Sequence, residues 1–213
     1  MSVRVLFEDN HLLILDKPAG LPTQPSLEHK DALEVRAKAY LKDKYQKKGD
    51  VFLSAVHRLD KEVAGIVIFA KTSKALSRMN DLIREKKLEK FYHAKVHGAL
   101  KIKEQRLCDF LVKKSHHAVV SSKTDPEAKE CTLTYKVIKE EKNSSLLEIQ
   151  LESGRYHQIR VQLSHLGYPV VGDTKYGSSI SYPDSHIDLK HVRVVFEHPV
   201  QKTQIIIETL LAS

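Results

Sequence analysis

The chain has 213 residues, of which 41% are hydrophobic and 29% charged, with 8 glycines and 7 prolines. This composition excludes a disordered chain and predicts one folded domain over residues 1–213. The net charge of +8 favours a polyanionic partner such as nucleic acid, although lysine-rich solvated helix faces would account for it equally well. Because the sequence contains neither an apolar span of about 20 residues nor a signal-peptide pattern, we expect a cytoplasmic protein without membrane contact.

The N-terminal part predicts a hairpin followed by a helix. Apolar and alternating residues at Val3–Glu8 and Leu12–Asp16 flank a short Asp-Asn turn, which is typical of two paired strands. Asp31 with Glu34 three residues later has the spacing of a capping box. Apolar residues then recur at helical spacing, so a helix is predicted from there to Gly49.

The middle of the chain predicts a buried strand, a second helix and a two-faced strand. Ile66–Ala70 is too short for a helix and rich in branched side chains, which indicates a strand buried on both faces. An amphipathic helix is predicted to start near Ser73. In the strand that follows, Tyr92, Ala94 and Val96 share one face, which we expect to point into the protein.

The C-terminal half predicts mainly strands. Ile159 and Leu163 fit a short helix that ends at Gly167, a residue suited to a left-handed conformation. Residues 115–130 and 178–188 read as exposed loops. The predicted strands are Thr132–Lys139, Leu146–Leu151, Val192–Glu197 and Gln204–Glu208. The fold class is therefore α+β, with a mixed, mainly antiparallel sheet shared by two lobes and a few flanking helices.

Asp60 is the first candidate functional residue. It lies in a predicted turn directly before the buried strand, with Arg58 two residues earlier and Lys61 directly after it. A carboxylate near a guanidinium stays ionised and is held in one direction. Considered alone, a turn aspartate that caps backbone amides explains it at least as well.

A second charged segment lies at residues 154–177. In the short helix, His157, Arg160 and Ser164 follow i, i+3 and i+4 spacing and share a face at the core boundary. A cation at that depth needs a partner, because an unpaired buried charge is costly. A surface arginine whose stem packs on the core is the alternative. A third segment, Asp16–Pro25, contains three prolines and by itself indicates only an ordered loop.

Several chemistries lack their usual sequence signature. No histidine cluster has metal-ligand spacing, so we expect no metal site. The phosphate-binding, dinucleotide-binding and nucleophile-elbow glycine motifs are absent, so we expect no nucleotide cofactor. Cys108 and Cys131 stand outside any C-x-x-C pair, which predicts inert thiols in a reducing compartment.

Taken in chain order, the three segments closely resemble the motifs of the RluA-type pseudouridine synthases. The resemblance extends from about Val5 to Pro199, which is nearly the whole chain. The matching segments are Asp16–Leu21 (family pattern N-K-P-x-G-[LV]), His57–Lys71 (H-R-L-D-x-x-x-x-G followed by F-A-K), Lys90–Gly98 (K-x-Y-x-A-x-V-x-G), Gly154–Val161 (G-R-x-H-Q-I-R-V), Gly172–Gly177 (G-D-x-x-Y-G) and Phe196–Pro199 (F-x-H-P).

The resemblance implies a catalytic core with a basic cleft between the lobes that isomerises uridine in structured RNA, transfer or ribosomal, without a cofactor. It implies that Asp60 is the catalytic carboxylate, that Tyr92 packs on the target uracil, and that Arg160 pairs with Asp60. RNA contacts are implied for His57, Arg58, Arg155, His157 and Gln158, with Arg58 filling the space that the flipped nucleotide leaves. Only protons are exchanged in this reaction, so no cofactor is required.

The sequence departs from the family pattern at two places. Val63-Ala64 replaces the usual Thr-Ser before Gly65, and Tyr156 replaces the usual Thr of the late motif. The N-terminal RNA-binding domain of many family members is not expected here, because the catalytic pattern begins at Val3. A monomer is expected, since no exposed apolar helix is evident. The alternatives are an RNA-binding or RNA-chaperone module with a degenerate site and, more remotely, a nucleoside hydrolase.

Overall fold

A computed structural model describes residues 3–184 and 186–209 of the chain. These residues form two compact units: unit 1 contains the described residues up to Leu88 and from His191 onwards, and unit 2 contains Glu89–Lys190. No helix in the described part of the chain is long and apolar enough to span a membrane.

Unit 1 is a sheet with two helices. Its elements are β1 (Arg4–Glu8), β2 (Leu12–Lys17), α1 (Leu33–Lys44), β3 (Ser54–Ala55), β4 (Ala64–Ala70), α2 (Ser73–Arg84), β10 (Leu189–Glu197, whose first two residues belong to unit 2) and β11 (Gln204–Glu208). The strand order is β1-β2-β4-β10, with β3 paired to β4 and β11 paired to β10. The pairs β1/β2, β2/β4, β3/β4 and β10/β11 are antiparallel.

The core of unit 1 explains why β4 lacks polar residues. Ile66, Ile68 and Ala70 of β4 pack with side chains of β2 and β10 and with Ala75 and Met79 of α2. Residues Gly65–Ala70 are all buried, so both faces of the strand are covered. The predicted doubly buried strand is therefore confirmed, and it anchors the polar segment that precedes it.

Unit 2 is built on a second run of antiparallel strands. Its elements are β5 (Glu89–His97), β6 (Glu104–Lys113), β7 (Ala118–Ser121), β8 (Lys129–Glu141), β9 (Ser144–Leu151), α3 (Gln158–His165) and a 3₁₀ turn (Thr174–Tyr176). The strand order is β5-β9-β8-β6-β7, and each neighbouring pair is antiparallel. The α+β class with mainly antiparallel strands is therefore confirmed.

Several predictions about local structure are wrong, among them the end of the first helix, because α1 stops at Lys44 and not at Gly49. Asp31 does not cap α1: the N-cap is Ala32 without a side-chain cap, and the carboxylate of Asp31 instead binds the guanidinium of Arg36. Residues 115–130 are not one loop, because β7 forms within them and pairs with β6. The polar composition of this segment concealed a strand that is stabilised by hairpin pairing with the strand directly before it.

Candidate active site

Asp60 lies on a turn between β3 and β4 whose side chains alternate in exposure. Arg58 is exposed, Leu59 is buried and Asp60 is half-exposed. The amide of Val63 donates to the carbonyl of Asp60 at 3.1 Å and closes the turn, and the Val63 side chain is buried. Leu59 and Val63 thus fix the turn in the core on either side of Asp60.

The proline-rich loop holds the backbone of this turn. The hydroxyl of Thr23 donates to the carbonyl of Leu59 and accepts from the amide of Leu59, each at 3.0 Å. The amide of Gly20 donates to the carbonyl of Lys61 at 2.8 Å. The loop that the sequence marks only as ordered therefore supports the residues on both sides of Asp60.

Lys17 is the buried centre of this support, and sequence reasoning assigned it no role. Its side chain is 1% exposed, and its ammonium donates to the carbonyls of Pro18, Leu21 and Lys61 at 2.9, 2.6 and 3.2 Å. Burial lowers its pKa to about 8, although the negative charges of Asp60 and Glu62 act in the opposite direction. The lysine inside the D-K-P stretch was the available signal.

Gly65 and His57 complete the geometry of the turn. Gly65 has φ +116°, and a Cβ there would lie 2.2 Å from the carbonyl oxygen of His191, so only glycine fits without displacement. His57 is half-buried. Its Nε2 accepts from the amide of Ile68 at 3.3 Å, and its ring packs edge-on against His191. His57 thus supports β4 at Ile68, and its contact with RNA stays a prediction.

In unit 2, Tyr92 lies on the buried face of β5. It shares this face with Ala94 and Val96, as predicted, and it stands opposite Ile149 of β9. The side chain is 6% exposed, so most of the ring is already packed. The expected contact between this ring and a uracil stays a prediction.

Arg160 is held by a carboxylate that sequence reasoning did not single out. Its Nε and Nη2 donate to the two oxygens of Asp173 at 2.6 and 2.9 Å, and both side chains are almost completely buried. This two-bond ion pair uses two of the five N–H donors of the guanidinium. The pairing of Arg160 with Asp60 stays a prediction. Asp173 belongs to the G-D-x-x-Y-G motif, which was the available signal.

Tyr176 contacts the three side chains whose spacing predicted a shared helix face, but the prediction is wrong for His157, which precedes α3 as its N-cap with φ +53°. The phenol oxygen of Tyr176 lies 2.8 Å from Nδ1 of His157, the guanidinium of Arg160 lies 5.2 Å from the centre of its ring, and the hydroxyl of Ser164 donates to its carbonyl at 2.6 Å. Burial raises the pKa of Tyr176. The phenol oxygen also accepts from the amide of Ala118 at 2.8 Å.

The three remaining RNA-binding candidates differ in exposure. Arg155 is exposed, with its Nε donating to the carbonyl of Glu130 at 3.1 Å, whereas His157 is buried. The buried amide of Gln158 forms four hydrogen bonds within the protein, with Ser153, the amide of Arg155, the carbonyl of Thr132 and Gln162. Contact of Gln158 with RNA stays a prediction that requires one of these bonds to break.

Comparison with known proteins shows the class to which this fold and these residues belong. The family model described as RNA pseudouridylate synthase matches residues 11–165. The chain is 34% identical over 176 residues to an uncharacterized RNA pseudouridine synthase of Bacillus subtilis, covering 81% of this chain and 57% of that protein. It is 36% identical to the ribosomal large subunit pseudouridine synthase C of Buchnera aphidicola, covering 81% and 53%, and 31% identical to synthase D of Pseudomonas aeruginosa, covering 86% and 56%.

A solved structure supports the fold independently. Human RNA pseudouridylate synthase domain containing 4 superposes with a TM-score of 0.83 at 21% identity, over 98% of this chain and 88% of that one. The chain belongs to the RNA pseudouridylate synthase family, as the resemblance to the RluA type indicated. It spans a little over half the length of the three curated relatives described above.

Proposed function

We propose that the chain isomerises uridine in RNA to pseudouridine, with Asp60 as its catalytic residue. The Asp60 turn is the observation that carries this proposal. Its carboxylate is half-exposed, while the backbone on both sides is fixed by Thr23, Gly20 and Lys17. Such an arrangement presents a reactive group in one orientation without requiring a change of shape during the reaction.

The reaction needs little beyond a positioned carboxylate. The bond between C1′ of the sugar and N1 of the base breaks, C1′ bonds to C5 of the base, the hydrogen on C5 leaves as a proton, and N1 gains a proton. A carboxylate can attack C1′ or remove a neighbouring sugar proton, and the geometry of Asp60 is compatible with both routes. A glycoside hydrolase instead requires two carboxyl groups and admits water.

The resemblance supplies roles for the other candidates. Arg58 is exposed beside Asp60, which suits the role of filling the position left by a flipped nucleotide. Tyr92 is assigned to the target uracil and Arg160 to the carboxylate of Asp60. The relatives from Buchnera and Pseudomonas are named for the large ribosomal subunit, so its RNA is the first proposed substrate, with transfer RNA as the alternative. We place this activity in the cytoplasm.

Tritium release from RNA labelled at C5 of uridine tests the proposal. With unmodified large-subunit ribosomal RNA, wild type should release tritium and Asp60→Asn should do so at least about a thousandfold more slowly, with little change in RNA affinity. Asp50→Asn is the matched control, because Asp50 is an exposed carboxylate of the same unit. Release by Asp60→Asn at the wild-type rate would overturn the assignment, and free uracil in the products would indicate hydrolysis.

The second candidate is an RNA-binding or RNA-chaperone module with a degenerate site, suggested by Val63-Ala64. The structure weakens this suggestion, because Val63 is buried and its amide still closes the turn at Asp60. RNA binding without tritium release from any RNA would favour the module. Pseudouridine maps of total RNA from cells with and without the gene would identify the substrate and separate ribosomal from transfer RNA.

A further inference from the structure

Lys90, the second residue of β5, carries a positive charge that no other described residue neutralises. Within residues 3–184 and 186–209 its ammonium forms neither a hydrogen bond nor an ion pair. The side chain is nevertheless half-buried, and this burial lowers its pKa. Removing a cation from water without a counter-charge costs free energy, so this lysine does not contribute to stability through its charge.

Other lysines with little exposure have partners. Lys17 donates to three carbonyls, and Lys71, whose side chain is 13% exposed, binds the carboxylate of Glu8 at 2.9 Å and the carbonyl of Asp9 at 2.6 Å. Each of these two ammonium groups recovers within the protein the interactions that it loses with water. Lys90 has no such partner among the described residues, which leaves its ammonium available to an external anion.

The position of Lys90 indicates the nature of that anion. Lys90 and Tyr92 are two residues apart on one strand, so their side chains lie on the same face, about 6.6 Å apart along it. The ammonium of Lys90 lies near Gly154, where a Cβ would be 3.5 Å from Nζ. Gly154 has no side chain to cover the ammonium, and Gly154 and Arg155 are both exposed.

We propose that Lys90 binds a backbone phosphate of the RNA next to the nucleotide whose base contacts Tyr92. This inference rests on the proposed function and extends it by a binding residue. A phosphodiester supplies the missing counter-charge, and a lysine ammonium binds it as a point charge without base preference. The exposed guanidinium of Arg155 adds a second positive charge on the Gly154 side.

The experiment measures RNA affinity against salt for Lys90→Met, which removes the charge and keeps most of the stem. The probe is unmodified large-subunit ribosomal RNA. We expect affinity about tenfold weaker, and a slope of log affinity against log salt that is smaller by about 0.7–0.9, which corresponds to one phosphate contact. Lys90→Arg should retain most of the slope. The melting temperature of Lys90→Met should equal or exceed that of wild type, because an uncompensated desolvated charge is removed.

Lys101→Met is the matched control, since Lys101 is an exposed lysine of the same unit, and its slope should stay close to that of wild type. If Lys90→Met binds RNA with the affinity and salt slope of wild type, or if its only change is a lower melting temperature, Lys90 has no phosphate contact. Tritium release still tests the proposed function separately. If Lys90→Met does not fold, acetylation of the lysines of wild type with and without bound RNA tests the proposal. Bound RNA should protect Lys90 and not Lys101 from acetylation, and equal labelling of the two lysines contradicts the proposal. Wild type that neither binds nor modifies RNA would overturn both proposals.

Discussion

The Asp60 turn of unit 1 and the Arg160 cluster of unit 2 orient their charged side chains by different means. Around Asp60 the contacts with Thr23, Gly20 and Lys17 are made to the backbone of the turn. The guanidinium of Arg160 is instead held directly by Asp173 in a buried ion pair. Changes near Asp60 should therefore act through backbone geometry, whereas changes near Arg160 should act through the loss of a buried ion pair.

Gly65→Ala should produce the largest effect, because it distorts the backbone where the Asp60 turn enters β4. A φ of +116° is unfavourable for alanine, and its Cβ would lie 2.2 Å from the carbonyl oxygen of His191. We expect the free energy of unfolding, measured by urea denaturation, to fall by at least about 4 kcal/mol. Gly167→Ala is the control: φ is +90° but no atom lies within 4 Å, so the loss should be about 1–2 kcal/mol. Equal losses of unfolding free energy for Gly65→Ala and Gly167→Ala would show that the contact between the new Cβ and the carbonyl of His191 is relieved by a small shift.

Asp173→Asn should have the next largest effect, because it leaves the guanidinium of Arg160 buried opposite a neutral amide. Removing one partner of a buried pair costs about 3–5 kcal/mol, and we expect a loss of this size in the free energy of unfolding. Asp31→Asn breaks the same two-bond geometry with Arg36. Since Asp31 is 57% exposed, that loss should be below about 1 kcal/mol. Similar losses of unfolding free energy for the two variants would mean that burial does not set the strength of the ion pair.

Lys17 should give a smaller effect that depends on pH. Burial lowers its pKa from 10.5 to about 8, so between these values the unfolded chain binds more protons than the folded one. Stability must then rise with pH in this window. The difference in unfolding free energy between wild type and Lys17→Met should rise in favour of wild type by about 2 kcal/mol from pH 8 to pH 10. A difference that is flat or falls with pH would contradict the lowered pKa of Lys17.

Local patterns predicted much of the fold because they report burial directly. The branched run of β4 and the alternating face of β5 with Tyr92 have the predicted form. Arg160 and Ser164 lie in α3 as predicted, whereas His157 precedes that helix as its N-cap. Where several residue types satisfy the same local pattern, prediction was wrong or incomplete. Asp31 has the spacing of a capping residue, yet an arginine five residues later was the stronger partner.

The sequence alone determined the family, because ordered motifs such as H-R-L-D and G-R-x-H-Q-I-R-V identify residue types at fixed spacing. It also determined which side chains are candidates for chemistry. Tertiary structure decided how those side chains are held: Asp173 binds Arg160 through a fold that brings residues 13 apart together, and Lys17 joins two loops by binding carbonyl groups common to all residues. The motifs contain both Lys17 and Asp173, but the groups that these side chains bind depend on position in the fold, so the motifs alone do not identify those contacts.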